Sequence, residues 1–116
     1  MMIVATPHST VCNSNFKLGD RANAYSLAEI EIGARATVAQ EAYLDTGSHD
    51  FDQAGLPLVA AKITIGEDAF VGARAFVLPG VTIGARSVVG ACSVVTHDLP
   101  EDVVAAGNPC KVLRKR

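Results

Sequence analysis

A period of six constrains this chain more than any other feature. From Ile65 an apolar residue returns at every sixth position, through Val71, Val77, Ile83, Val89 and Val95. Gly66, Gly72, Gly84 and Gly90 follow four of these residues. The N-terminal half repeats the pattern less cleanly, as Leu18-Gly19 and Ile32-Gly33, then Val38 and Leu44. Leu18, Ala24 and Ile30 keep step there, but Ile32 lies two residues out of register. Six fits neither an amphipathic helix at 3.6 nor a simple alternating strand. It fits a coil of short strands with one branched side chain per side pointing inward. Three hexapeptides, about 18 residues, close a triangular turn, and successive turns stack about 4.8 Å apart. β-Branched residues suit the strands, while Gly and the Asp-Arg or Ala-Arg pairs make the corners. A sandwich of short strands is the alternative, and the unbroken register from Ile65 to Val95 argues against it.

Two segments break the rhythm. Thr46 to Ala61 carries Gly47, Ser48, His49, Asp50, Asp52, Gly55 and Pro57 without a hexapeptide phase. A repeat coil expels such an insertion as a loop on one face, often the working face. The second is the tail, 99–116, where Pro100 and Gly107-Asn108-Pro109 stop the coils. Val112 and Leu113 are expected to fold back on the last turn, and 102–106 reads equally as strand or helical turn. No substantial helix is expected. The chain therefore reads as one all-β domain over residues 1–116, with a loop at about 46–61. Val4, Ala36, Phe70, Ala75 and Phe76 are expected on the outer faces. Apolar surface on a repeat protein implies a partner, and self-association with cyclic symmetry is the simplest one.

Composition excludes several classes. Hydrophobic residues make up 49% and charged residues 19%, so the chain is not intrinsically disordered. No run of about 18 apolar residues crosses a membrane. MMIVATPHST lacks a basic leader region, which points to the cytoplasm. The net charge of -2 does not suggest nucleic acid. Lys111, Arg114, Lys115 and Arg116 crowd the end, either solubilising it or binding an anion. Cys12, Cys92 and Cys110 form no CxxC, so reduced thiols are expected. Taken alone, His49 beside Asp50 in a Gly-Ser loop reads as an exposed turn residue.

Longer motifs add a resemblance. YLDTGSHDF at 43–51, Ile63-Thr64-Ile65-Gly66, LPGVTIG at 78–84, VVGACSVVTHDLP at 88–100 and AAGNPCKVLRKR at 105–116 are its carriers. Over about residues 17–116 the chain resembles the hexapeptide-repeat acyltransferases, and among them the colanic acid biosynthesis-type sugar O-acetyltransferases. The resemblance implies a single-stranded left-handed parallel β-helix, a prism that forms homotrimers with active sites between subunits. It implies acetyl-CoA as donor and a hydroxyl of a sugar or similar small polar molecule as acceptor.

His49 falls on the family's catalytic histidine, a general base that takes the acceptor proton during direct transfer. Imidazole is largely free base at neutral pH and suits that task. Asp50 either orients the imidazole or caps the turn. Gly72 and the neighbouring coil are candidate N–H donors to the oxyanion. For CoA the resemblance implies Gly72 with Ala73, and Gly90 with Ala91 one coil later, along the pantetheine. Without it, alanines merely pack corners. Thr96, Lys111 and Arg114 fall near the nucleotide phosphates. Ser26 and Phe70 fall at the acceptor, Phe70 where relatives often carry tryptophan, and His97 stands where they carry lysine. Family members also carry a longer N-terminal region. Two other readings stand beside this one. One is a non-catalytic trimeric scaffold or binding module. The other is a γ-type carbonic anhydrase with zinc on three histidines, but the placement of His8, His49 and His97 does not resemble that pattern, and no metal is expected.

Overall fold

The protein is described by a computed structural model over residues 15–116, together with the backbone pairing of Met2–Ala5 and Thr10–Cys12. His8 and the side chains of Val4 and Cys12 lie outside the described residues. The chain runs through β1 (Met2–Ala5), β2 (Thr10–Cys12), β3 (Lys17–Leu18), β4 (Asn23–Ser26), β5 (Ile30–Ile32) and β6 (Thr37–Val38). It continues through β7 (Tyr43–Asp45), β8 (Gly47–His49), β9 (Leu58–Ala60), β10 (Ile63–Ile65), β11 (Phe70–Val71) and β12 (Phe76–Val77). The last strands are β13 (Thr82–Ile83), β14 (Val88–Val89), β15 (Val94–Val95), β16 (Val103–Gly107) and β17 (Cys110–Lys115). No helix occurs among the described residues.

These strands form three walls. The first wall orders β1-β4-β7-β12-β15, the second β2-β5-β10-β13, and the third β3-β6-β11-β14-β16-β17. Apart from β16–β17, every pairing within the walls is parallel, so the chain visits the walls in rotation, as a β-helix does. Phe70 pairs with Val88 and Phe76 with Val94, each 18 positions on, which is the three-hexapeptide coil. In the N-terminal half Asn23 pairs with Tyr43 and Lys17 with Thr37, 20 positions on. The two-residue slip is thus real. It lengthens one corner between Ser26 and Ile30.

Ile65, Val71, Val77, Ile83, Val89 and Val95 are all buried in the coil. A second inward column stands two residues before them, because side chains two apart on a strand share a face. Ile63, Ala69, Ala75, Val81, Ser87 and Ser93 occupy it, as Ala36 does before Val38. Ala36 and Ala75 therefore belong to the core, not to the outer faces expected for them. Being small, they give no apolar signal of their own, and their place at the strand entry decides their side. Ile30 is the same kind of residue relative to Ile32, which explains why both are buried.

The corners divide two demands between different residues. Gly66 and Gly72 sit where the backbone of the next coil presses close. A Cβ on Gly72 would lie 2.6 Å from the Val89 carbonyl oxygen and 2.7 Å from the Ala91 nitrogen. The left-handed residue comes two positions later and is not glycine. Arg35, Asp68, Arg86 and Asp102 stack at one corner with φ of 55 to 61°, and Arg21, Glu41, Arg74 and Cys92 at the next with φ of 56 to 60°. Their charges alternate, so the columns pair: Arg35 donates to Asp68 through Nε and Nη2 at 2.9 Å, and Arg86 Nε donates to Asp102 at 2.7 Å.

At the end of the coil the tail forms two strands joined by a turn. β16 stacks under β14, and β17 returns antiparallel along it. The tail does fold back, but Val112 and Leu113 remain exposed on it.

Candidate active site

The insertion is an ordered hairpin. β8 and β9 pair antiparallel, Ser48 opposite Val59 and His49 opposite Leu58. It leaves the corner between the first and second walls, directly after β7. Thr46 roots it there. Its buried hydroxyl donates to the Tyr25 carbonyl at 2.6 Å and accepts the N–H groups of Leu27 at 2.8 Å and Ala28 at 3.1 Å. The hairpin exposes apolar side chains, with Phe51 81% exposed and Leu56 and Leu58 more than half exposed.

His49 is exposed at the end of β8, and its ring is held from behind. Nδ1 lies 2.8 Å from the Leu56 carbonyl oxygen. A carbonyl only accepts, so Nδ1 carries the proton in that bond. In the neutral ring Nε2 then holds the free lone pair. Asp50 does not make this contact. Its carboxylate accepts the Asp52 N–H at 3.1 Å and the Gln53 side-chain amide at 2.9 Å, which caps the hairpin tip. Of the two roles open for Asp50, the geometry is that of the cap.

A cleft of about 210 Å³ opens beside the imidazole. Its floor is the outer face of the first wall, with Tyr25, Tyr43 and Asp45, and its side is the hairpin, with Ser48 and Leu58. Tyr43 also stacks on Phe76, ring centres 5.0 Å apart. Burial pushes the Tyr43 phenol above its ordinary value, with the Asp45 carboxylate and Tyr25 adding to the shift. Tyr43 thus stays a protonated hydroxyl across neutral pH.

Ser26 is corrected by the structure. It is fully buried, and its hydroxyl donates to the Ala28 carbonyl at 2.7 Å, so it holds the lengthened corner and does not face the cleft. Strand alternation gives the reason: Ala24 and Ser26 point in, so Tyr25 between them points out. The same alternation around Leu44 turns Tyr43 and Asp45 outward, a signal in the sequence that identifies three cleft residues. Phe70, 41% exposed, lies on the third wall. It lines an apolar groove there with Phe16, Leu18 and Val38, away from the His49 cleft of the same chain.

Gly72-Ala73 and Gly90-Ala91 do stack. They form the corner between the third and first walls, where the Cys92 N–H donates to the Ala73 carbonyl at 2.9 Å. Ala106 continues this corner below Gly90, and Lys111 pairs with Ala106 across the tail hairpin. Lys111 therefore stands at the foot of the small-residue column. Arg114, opposite Val104, lies toward the other end of β17. Thr96 sits after β15 at the corner that also carries the hairpin, its hydroxyl sharing a 2.9 Å hydrogen bond with His97. The expectation that Gly72 supplies an N–H to an oxyanion is corrected: that N–H already donates to Val89 at 2.8 Å. Among the described residues no cluster of three His, Cys, Asp or Glu is placed to hold a metal ion.

Residues 62–97 match the family model for the bacterial transferase hexapeptide, six repeats. An Escherichia coli strain K12 protein named as the colanic acid biosynthesis acetyltransferase WcaF is 48% identical over 99 residues, 85% of this chain and 54% of that protein. The chain belongs to the hexapeptide-repeat transferases. Solved members share the fold. A maltose O-acetyltransferase from Clostridium difficile 630 is 32% identical with a TM-score of 0.76, over 98% of this chain and 66% of that one. A galactoside acetyltransferase in complex with coenzyme A is 30% identical with a TM-score of 0.75, over 97% and 62%. This hexapeptide-repeat chain spans about half the length of the curated relative from Escherichia coli.

Proposed function

We propose that the protein is a CoA-dependent O-acetyltransferase acting on a hydroxyl of a sugar or a similar small polar acceptor, with His49 as general base. One observation carries the reading: the Leu56 carbonyl accepts from Nδ1, which leaves the Nε2 lone pair free on a ring that lines the cleft. As the acceptor oxygen attacks the thioester carbonyl, Nε2 takes its proton. The tetrahedral oxyanion then collapses, the C–S bond breaks, and the imidazolium returns the proton to the departing thiolate. No acyl-enzyme is required.

Acetyl-CoA is the donor substrate in this reading. The column Gly72, Ala73, Gly90 and Ala91 offers a wall without large side chains for the pantetheine, with Lys111 at its foot to pair with phosphate. Arg114 and Thr96 are assigned to the same nucleotide, each from its own end of the last coil. The fold is a closed left-handed prism spanning residues 1–116. Three such prisms form a homotrimer in the cytoplasm. In support, the His49 cleft and the small-residue column occupy different corners of one chain, so a neighbouring prism is needed to bring them together. Phe70 and the apolar groove then face a partner, through which Phe70 reaches the acceptor.

His49→Ala tests the reading. Loss of the base should lower turnover by about 100-fold or more with acetyl-CoA saturating. Equal initial rates for variant and wild type remove His49 from the chemistry and favour the non-catalytic scaffold. Galactoside and maltose acetyltransferases among the relatives make neutral sugars the first acceptors to try.

A further inference from the structure

The cleft beside His49 contains a charge that proton transfer itself does not use. Asp45 ends β7 and turns outward next to its register partner Tyr25 on β4. One carboxylate oxygen accepts the Gly47 N–H at 3.0 Å, which fixes the side chain at the root of the hairpin. The other oxygen has no hydrogen-bond partner among the described residues, and no lysine or arginine pairs with Asp45. With a neutral imidazole, Asp45 is the one formal charge that the described residues place on the lining of the cleft. Its remaining polar neighbours there, Tyr25, Tyr43 and Ser48, are hydroxyls.

The chemistry of that lining is selective. A carboxylate accepts hydrogen bonds and donates none. Held beside the base, it recognises a second hydroxyl or an ammonium on the molecule whose first hydroxyl is deprotonated. It also repels an anion, and no cation among the described lining residues offsets that repulsion. We infer that Asp45 anchors the acceptor and restricts this site to neutral or amine-bearing polyols, against uronic acids and sugar phosphates. The inference rests on the acetyl-transfer reading and deepens it. Tyr25 and Tyr43 supply the flanking hydroxyls, and the Tyr43–Phe76 stack keeps the floor rigid.

Asp45→Asn isolates the charge, because the remaining carbonyl oxygen still accepts the Gly47 N–H and the hairpin keeps its root. Initial rates at saturating acetyl-CoA are compared for a neutral hexoside, its 2-amino analogue and the matching hexuronic acid. The wild type should favour the first two over the uronic acid by at least about tenfold in kcat/KM. The variant should lose roughly ten- to a hundredfold on the neutral hexoside, mainly through acceptor KM, with donor KM and melting temperature unchanged. It should also narrow the gap to the uronic acid. Neutral-hexoside kinetics within about twofold of wild type overturn the assignment, as does wild-type turnover of the uronic acid at an equal rate. Donor binding with transfer to none of the three acceptors overturns the acceptor class alone. Failure to bind acetyl-CoA removes the transferase reading, and the Asp45 assignment falls with it.

Discussion

The Leu56 carbonyl has no proton to give, so its contact with His49 decides which ring nitrogen is left free for the proposed base. Backbone supplies this control, which explains why no side chain in the sequence announces it. Asp50, the obvious neighbour, is occupied at the hairpin tip by Asp52 and Gln53. Asp50→Ala should therefore loosen the tip by about 1–2 kcal/mol of lost hydrogen bonding and keep most of the turnover. A loss as large as that of His49→Ala would instead place Asp50 on the imidazole. A motif singled out His49 in the sequence, and the structure puts it on the lining of the cleft. The resemblance failed at Ser26, because the alternation of β4 that turns Ala24 inward turns this hydroxyl inward too, where it bonds the Ala28 carbonyl.

At the scale of the element, the coil was legible because its apolar column is strictly periodic, and the small second column was not, because alanine and serine carry no comparable contrast. The corners explain what the glycines are for. Gly72→Val pushes a side chain into the backbone of the next coil and should cost roughly 1–3 kcal/mol, read as a lower melting temperature. A variant as stable as wild type would show that the coils can spread there. The alternating corner charges predict an acid dependence. The Arg86 side-chain hydrogen bond, aided by its charge, holds the Asp102 carboxyl below its ordinary value, and Arg35 does the same for Asp68. A depressed carboxylate adds stability above its unfolded pKa and loses it as pH falls through the folded value. The melting-temperature gap between wild type and Arg86→Gln should be full near pH 6 and close below about pH 4. A gap that persists in acid would assign the effect of Arg86 to packing. The insertion was legible as an expelled loop, but its hairpin pairing was not, since Gly47–His49 and Leu58–Ala60 have no periodic partner in the coil.

Across the whole molecule, the hairpin with His49 and the Gly72–Ala91 column stand at separate corners, so the proposed mechanism calls for assembly. Sedimentation should give a species near three times the monomer mass, and a clean monomer would leave base and donor column apart. The sequence showed the apolar surplus but not its distribution. The exposed residues fall in Phe51, Leu56, Leu58 and Val59 on the hairpin, in the Phe70 groove, and in Val112 and Leu113 on β17, an arrangement that only the folded walls create. Donor recognition is the claim on which the remaining assignments depend. A calorimetric titration of the protein with acetyl-CoA tests it most directly. The account predicts one donor bound per subunit at micromolar to submillimolar affinity, weakened by Lys111→Glu. No heat of binding at millimolar acetyl-CoA would contradict it and leave a coil that has kept the family's fold without its chemistry.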